Sequence, residues 1–201
     1  AMSICTYRDR VLVMGDAFGK KEDFKKLIEN FITDADKLCY NPVFYEIKEN
    51  QTIYLHDFGY SFIKFGEKAK VKLSDFVMEG PKRKSQRNVI KKFEKKGLSF
   101  EIVSPPYQDD FMEELKKISD SWLDGRIEKG FSLGFFNEDY LKLCPMALVK
   151  DGEKILAFSN IMPTAGETWA TIDLMRYDRE NEQNGIMDFL FINLILYFKD
   201  L

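Results

Sequence analysis

Apolar residues recur along the chain with two periods, one near 3.6 and one near 2, and the switches between them lay out the elements. Residues 11–14 form a short apolar run entering the turn Gly15-Asp16-Ala17-Phe18-Gly19-Lys20, which predicts a strand. Phe24, Leu27, Ile28, Phe31 and Ile32 then share one helical face while Lys25, Lys26 and Glu29 point away, predicting an amphipathic helix. Strands are predicted at 43–47, 52–55 and 60–65, separated by polar or glycine-containing turns. Across 82–96 a helix would put Val89, Ile90 and Phe93 on one face and Lys84, Arg87, Lys91 and Lys95 on the opposite one. Gly97 stops it, 98–103 reads as a strand, and Pro105-Pro106 marks a boundary near residue 104, dividing the chain into halves 1–104 and 105–201.

The second half opens with a helix over 108–122, Phe111, Met112, Leu115, Ile118 and Trp122 inward, its early acids and later lysines matching the macrodipole. Strands follow at 146–149, 154–161 and 168–175, the first two joined by the turn Lys150-Asp151-Gly152-Glu153. The run 185–198 is apolar on every side, so it predicts a buried helix that needs cover from a sheet, and further chain is expected beyond 201. It falls short of the roughly 20 residues that span a bilayer. Strands and helices alternating in both halves predict a mixed α/β or α+β fold.

Composition narrows this picture without redirecting it. The chain has 201 residues, 45% hydrophobic and 31% charged, with net charge −3, an ordinary globular balance that allows one large domain or two small ones. Cys5, Cys39 and Cys144 have neither CxxC spacing nor an even count, so neither a disulfide framework nor a zinc knuckle is suggested, and a reducing, cytoplasmic compartment fits. The N-terminal residues lack the charged-then-apolar pattern of a signal peptide. A single histidine, His56, leaves no HExxH and no two-histidine acid/base pair. With no GxSxG to supply a serine, His56 reads as structural.

Candidate chemistry gathers in two places. Gly15 to Lys20 departs from a P-loop, since three residues separate its glycines and Lys21 follows the lysine, and no GxGxxG occurs. The segment 82–96 instead places eight Lys/Arg with one acid in an acidic chain. Such segregated charge suits a polyanion, RNA phosphate or anionic lipid, or else a solvated helix face. Asp173 and Arg176 end an otherwise apolar strand. They suit either a structural ion pair or a cleft where a carboxylate anchors an ammonium or takes a proton and a guanidinium clamps a phosphate.

Six stretches, in order along nearly the whole chain, carry a resemblance. They are VLVMGDAFG (11–19), KFGEKAKVKL (64–73), ISDSWLDGR (118–126), EKGFSLGFFNEDYL (128–141), ILAFSNIMP (155–163), and TIDLMRYD with NGIMDFLF (171–191). Together they resemble the soluble C-terminal domain of the phosphatidylglycerol lysyltransferase family, the multiple peptide resistance factor synthases. The resemblance implies tandem acetyltransferase-like (GNAT) folds, the second incomplete at 201. It also implies transfer of lysine or alanine from aminoacyl-tRNA to phosphatidylglycerol at the cytoplasmic face of the bacterial plasma membrane, making the lipid less anionic and cationic antimicrobial peptides less attracted to it. No cofactor and no metal are expected, aminoacyl-tRNA being the donor substrate. Asp173 and Arg176 match active-site positions in the family's DLMR word, and Lys84, Arg87, Lys91 and Lys95 are candidates to bind tRNA or anionic lipid. Many members carry an N-terminal membrane-spanning flippase, which these residues do not include. Other readings stay open: an aminoacyl-tRNA-dependent transferase acting on a peptidoglycan precursor, or a non-catalytic module docking on tRNA or anionic membrane. An acetyl-CoA enzyme is disfavoured, because Gln183-Asn184-Gly185 offers one glycine where a pyrophosphate loop needs more.

Overall fold

The two periods resolve into two sheets with helices beside them. A computed structural model describes residues 1–130, 134–164, 169–181 and 183–201, and the chain divides into two compact units, Ala1–Ala69 and Lys70–Leu201. In the first, β1 (Ser3–Tyr7) pairs antiparallel with β2 (Arg10–Met14), which pairs in parallel with β3 (Asn41–Tyr45). Parallel neighbours require a crossover, and α1 (Phe24–Lys37) supplies it. Alternation in β2 buries Val11 and Val13. Val13 shares a small interior space with Ile28 of α1, Phe44 of β3 and Leu55.

Two expected strands are absent from this unit. Residues 52–55 lie in a helix, α2 (Glu49–His56). Their β-favouring Thr, Ile and Tyr yield to burial at helical spacing, since Gln51 and Leu55, four apart, both turn inward. Glu49 sits in the first turn, where a negative charge suits the helix dipole. His56 ends this helix exposed to solvent. Residues 60–65 form no regular element, and Phe62, Ile63 and Phe65 are exposed.

The second unit has three layers. Its sheet runs β4 (Leu98–Val103), β5 (Met146–Asp151), β6 (Lys154–Pro163), β7 (Ala170–Tyr177), every neighbour antiparallel. One face packs on α3 (Lys84–Lys95) and α6 (Ile186–Asp200), through Phe93, Ala147, Val149, Phe189 and Leu190. The other packs on α4 (Asp109–Leu123) and the short α5 (Glu138–Leu141), through Met112, Leu115, Leu141, Met146, Leu148, Phe158 and Leu174. A strand covered on both faces reads as continuously apolar, which is why 146–149 carries no alternation. Phe93 and Phe158, both fully buried, each contribute on the order of 2–3 kcal/mol. The all-round apolar α6 receives the sheet cover its composition demands. Among the described residues no helix is long and apolar enough to cross a membrane.

The expected boundary near 104 falls inside this unit. Six residue pairs join β4 to β5 across it, so Pro105-Pro106 links a strand to a helix of one core. Thr168, expected to begin the last strand, and residues 131–133 of the EKGFSLGFFNEDYL word lie outside the described residues.

Candidate active site

In a regular strand Asp173 and Arg176, three residues apart, would point to opposite faces. Strand β7 is not regular at that point. Ser159 pairs with Met175 and Ile161 with Ile172, so two residues of β7, Asp173 and Leu174, stand opposite the single Asn160 of β6. This bulge resets the alternation. Ile172 packs with the α3/α6 face, whereas Leu174 packs with the α4 face. Asp173 and Arg176 consequently share the α4 side, Asp173 bonded to Tyr140 of α5 and Arg176 stacked on Trp122 of α4.

The bulge is held by a side chain. Asn160 is fully buried, and its Oδ1 accepts the Asp173 N–H at 3.3 Å and the Leu174 N–H at 2.7 Å. Its Nδ2 donates to the Tyr140 hydroxyl at 2.9 Å, and that hydroxyl donates to Asp173 Oδ2 at 3.1 Å. Burial, with the Asp173 charge adding to it and the Asn160 bond opposing it, pushes the Tyr140 pKa up to about 12, so Tyr140 remains a neutral donor. Asp173 Oδ1 accepts no hydrogen bond among the described residues. Gly134 lies against this carboxylate, and a Cβ there would stand 2.6 Å from Asp173 Cγ.

Arg176 is 7% exposed and largely neutralised. Its Nη2 donates to Glu128 Oε1 at 2.7 Å, its Nη1 to the Met175 carbonyl at 3.0 Å, and its guanidinium lies 4.0 Å from the Trp122 ring centroid. Glu128 Oε1 also accepts the Phe136 N–H at 3.1 Å. Arg176 Nε, itself buried, has no hydrogen-bond partner among the described residues. The pair with Glu128 and the Trp122 ring tie Arg176 into the wall beside Asp173. Of the residues assembled here, the sequence pointed to Asp173 and Arg176. Tyr140, Gly134 and Glu128 lay inside the EKGFSLGFFNEDYL word and Asn160 inside ILAFSNIMP, with nothing in residue type to single them out.

The basic face of α3 is only partly as expected. Lys84, Lys91 and Lys95 are exposed and make no ion pair among the described residues. Arg87 turns inward, its Nη1 donating to the carbonyls of Met78 at 2.6 Å and Gly80 at 2.7 Å, so it also holds the entry to the helix. Lys92 and Lys96 reach the Asn184 carbonyl and Gln183 Oε1. On this side of the sheet, away from Asp173, a groove of about 480 Å³ runs between 70–76, α3 and α6, floored by Val89, Phe191, Ile192 and Ile195. Among the described residues no cluster of His, Cys, Asp or Glu is placed to hold a metal.

Comparison with known proteins bears on this geometry. The family described as phosphatidylglycerol lysyltransferase, C-terminal, matches residues 2–201. The phosphatidylglycerol lysyltransferase of Bacillus subtilis is 43% identical over 192 residues, 95% of this chain and 22% of that protein. That of Staphylococcus epidermidis is 37% identical over 191 residues, 94% of this chain and 23% of its own length. The chain thus spans about a quarter of the length of these relatives. Among solved structures, the L-PGS of Bacillus licheniformis superposes with a TM-score of 0.92 at 42% identity, covering 99% of this chain and 63% of that one. A protein from Agrobacterium fabrum, described as a lysylphosphatidylglycerol synthetase C-terminal domain, gives 0.91 at 33%, again covering 99% and 63%. With a bulged strand that sets an acid and an arginine on one face, and with this similarity along its whole length, the chain belongs to the phosphatidylglycerol lysyltransferase C-terminal family.

Proposed function

We propose that the chain forms part of an aminoacyltransferase that moves lysine or alanine from aminoacyl-tRNA to a glycerol hydroxyl of phosphatidylglycerol at the cytoplasmic face of the plasma membrane. Loss of negative lipid charge would then weaken attraction of cationic antimicrobial peptides. The tandem GNAT reading belongs to the same proposal. It is supported in the second unit by a strand, two helices, three antiparallel strands and a helix in succession.

The observation that carries the reading is Asp173, a half-buried carboxylate with Oδ2 taken by Tyr140 and with Oδ1, beside Gly134, accepting no hydrogen bond among the described residues. An open carboxylate oxygen in a partly desolvated site recognises an ammonium, such as the α-amino group of an aminoacyl ester. It can equally accept the proton of an attacking hydroxyl. In the transfer the lipid hydroxyl oxygen bonds to the ester carbonyl carbon, and the bond from that carbon to the tRNA ribose oxygen breaks. The proton lost by the lipid hydroxyl ends on the ribose oxygen, through Asp173 as carrier. One ester replaces another, so the step needs neither ATP nor a redox partner. Arg176, tied to Glu128 and Trp122, keeps the strand end rigid around that carboxylate. Lys84, Lys91 and Lys95 offer exposed charge for the tRNA backbone or the anionic membrane.

The test uses the complete gene product, phosphatidylglycerol vesicles and tRNA charged with radiolabelled lysine or alanine. Label is expected in the lipid fraction. Asp173→Asn should lower the rate about 100-fold or more, the usual worth of a positioned proton carrier, and Arg176→Ala should lower it as well. Unlabelled lipid with both amino acids overturns the acceptor, and an unchanged Asp173→Asn rate overturns the site.

A further inference from the structure

Asn160 joins the two halves of the site, and its orientation follows from chemistry. A backbone N–H can only donate, so the amide atom facing the Asp173 and Leu174 N–H groups is the oxygen. The NH₂ group is thereby turned to Tyr140, where it occupies an acceptor position on the hydroxyl. The Tyr140 proton is left to point at Asp173 Oδ2. The circuit closes on itself, from the Asp173 backbone through Asn160 and Tyr140 to the Asp173 side chain. Asn160 itself has no exposed surface, so its own bonds lie in a low-dielectric interior where each counts for more.

We propose that Asn160 is a positioning residue of the transfer site. By clamping the extra residue of β7 it keeps Asp173 on the face of Arg176, and by donating to Tyr140 it holds Asp173 Oδ2 in place while Oδ1 stays open to substrate. This rests on the reading of Asp173 as the proton-carrying carboxylate of the transfer. No other side chain of similar size does both tasks. An ionised aspartate keeps the acceptor, loses the donor and competes with Asp173 for the Tyr140 proton, and alanine leaves one buried and one half-buried N–H without this partner.

The two tasks can be separated by substitution in the complete gene product. Asn160→Asp retains the clamp and removes the donor to Tyr140, whose proton the new carboxylate then draws from Asp173. Its kcat for lysyl transfer to phosphatidylglycerol vesicles should fall about tenfold with KM for lysyl-tRNA within about threefold, as for a group felt mainly in the transition state. Tyr140→Phe should behave alike, and the double variant should be no worse than Tyr140→Phe alone, because one pathway has been cut twice. Asn160→Ala should lose more activity, and amide exchange at Asp173 and Leu174 should accelerate about tenfold or more while the β5 amides stay protected. Wild-type kcat in both Asn160 variants overturns the proposal, as does strict additivity with Tyr140→Phe. If Asp173→Asn transfers normally, the reading of the site falls instead, and unchanged exchange at 173 and 174 in Asn160→Ala would separately overturn the clamp.

Discussion

Gly134 presses on the Asp173 carboxylate closely enough that any side chain would collide with it, a Cβ falling 2.6 Å from Cγ and Oδ2 and 2.8 Å from Oδ1. The obstacle is the end of a side chain, so the molecule can relieve it by rotating Asp173. Rotation, however, breaks the bond from Tyr140 and turns Oδ1 away from its opening. Gly134→Ala should therefore cost little stability, less than about 2 kcal/mol in urea unfolding, because no close-packed core atom has to move. Transfer should fall about tenfold or more, as expected where a reacting group is misplaced by an ångström. A variant that unfolds readily yet transfers normally would show that Gly134 serves packing and not the carboxylate.

The elements hold this site through a network at the end of β7. Burial works against charge on Asp178. The Asn181 amide at 2.6 Å, the Ser121 hydroxyl of α4 at 3.0 Å, the Glu180 N–H at 3.1 Å and Lys154 at 3.6 Å outweigh it and hold the carboxyl below its ordinary 3.8. A pKa lower in the folded state than in the unfolded chain stabilises the fold fully above the unfolded value, and the gain fades as pH falls through the folded one. Asp178→Asn should thus lose stability at pH 7 and at pH 5, with the gap to the parent protein narrowing below about pH 4. Urea titrations at these pH values check this, a gap of constant size being the contrary result. Such cross-element ties were the part of the molecule that the sequence concealed. Periodicity located α1, α3, α4 and most strands because each buries a local stripe, and α6 and β5 stood out as apolar runs. It missed α2, whose inward face has only Gln51 and Leu55 to declare it. Asp173 and Arg176 were legible through the DLMR word, but the bulge that sets them on one face depends on Asn160, which lies on another strand. Arg87 shared its helical face with three lysines in sequence, and only the fold shows it spent on the carbonyls of Met78 and Gly80.

At the scale of the whole molecule, every side chain assembled around Asp173 belongs to the unit Lys70–Leu201: Trp122, Glu128, Tyr140, Asn160 and Arg176. The division between units, after Ala69, falls in the stretch 61–72, which has no regular structure and is exposed throughout. Proteases need chain that can leave the fold, and such exposed backbone is where they act first. Lys64, Lys68, Lys70 and Lys72 lie in this stretch. Among the described residues Lys64 and Lys72 make only exposed ion pairs, with Glu67 and Asp75, and Lys70 rests over the exposed Trp169 ring. Pairs of that kind are worth less than about 1 kcal/mol and do little to restrain the chain. The lysines of α3 are as exposed but sit on hydrogen-bonded helix anchored by the fully buried Phe93. Limited trypsin digestion should consequently cut first between 64 and 72, leaving one fragment that begins near residue 70 and carries the complete Asp173 network. Intact-mass measurement of early digestion products checks this. First cuts at Lys91 or Lys95 would mean that α3 opens more readily than the join, and that the second unit is not the sturdier scaffold its doubly covered sheet implies.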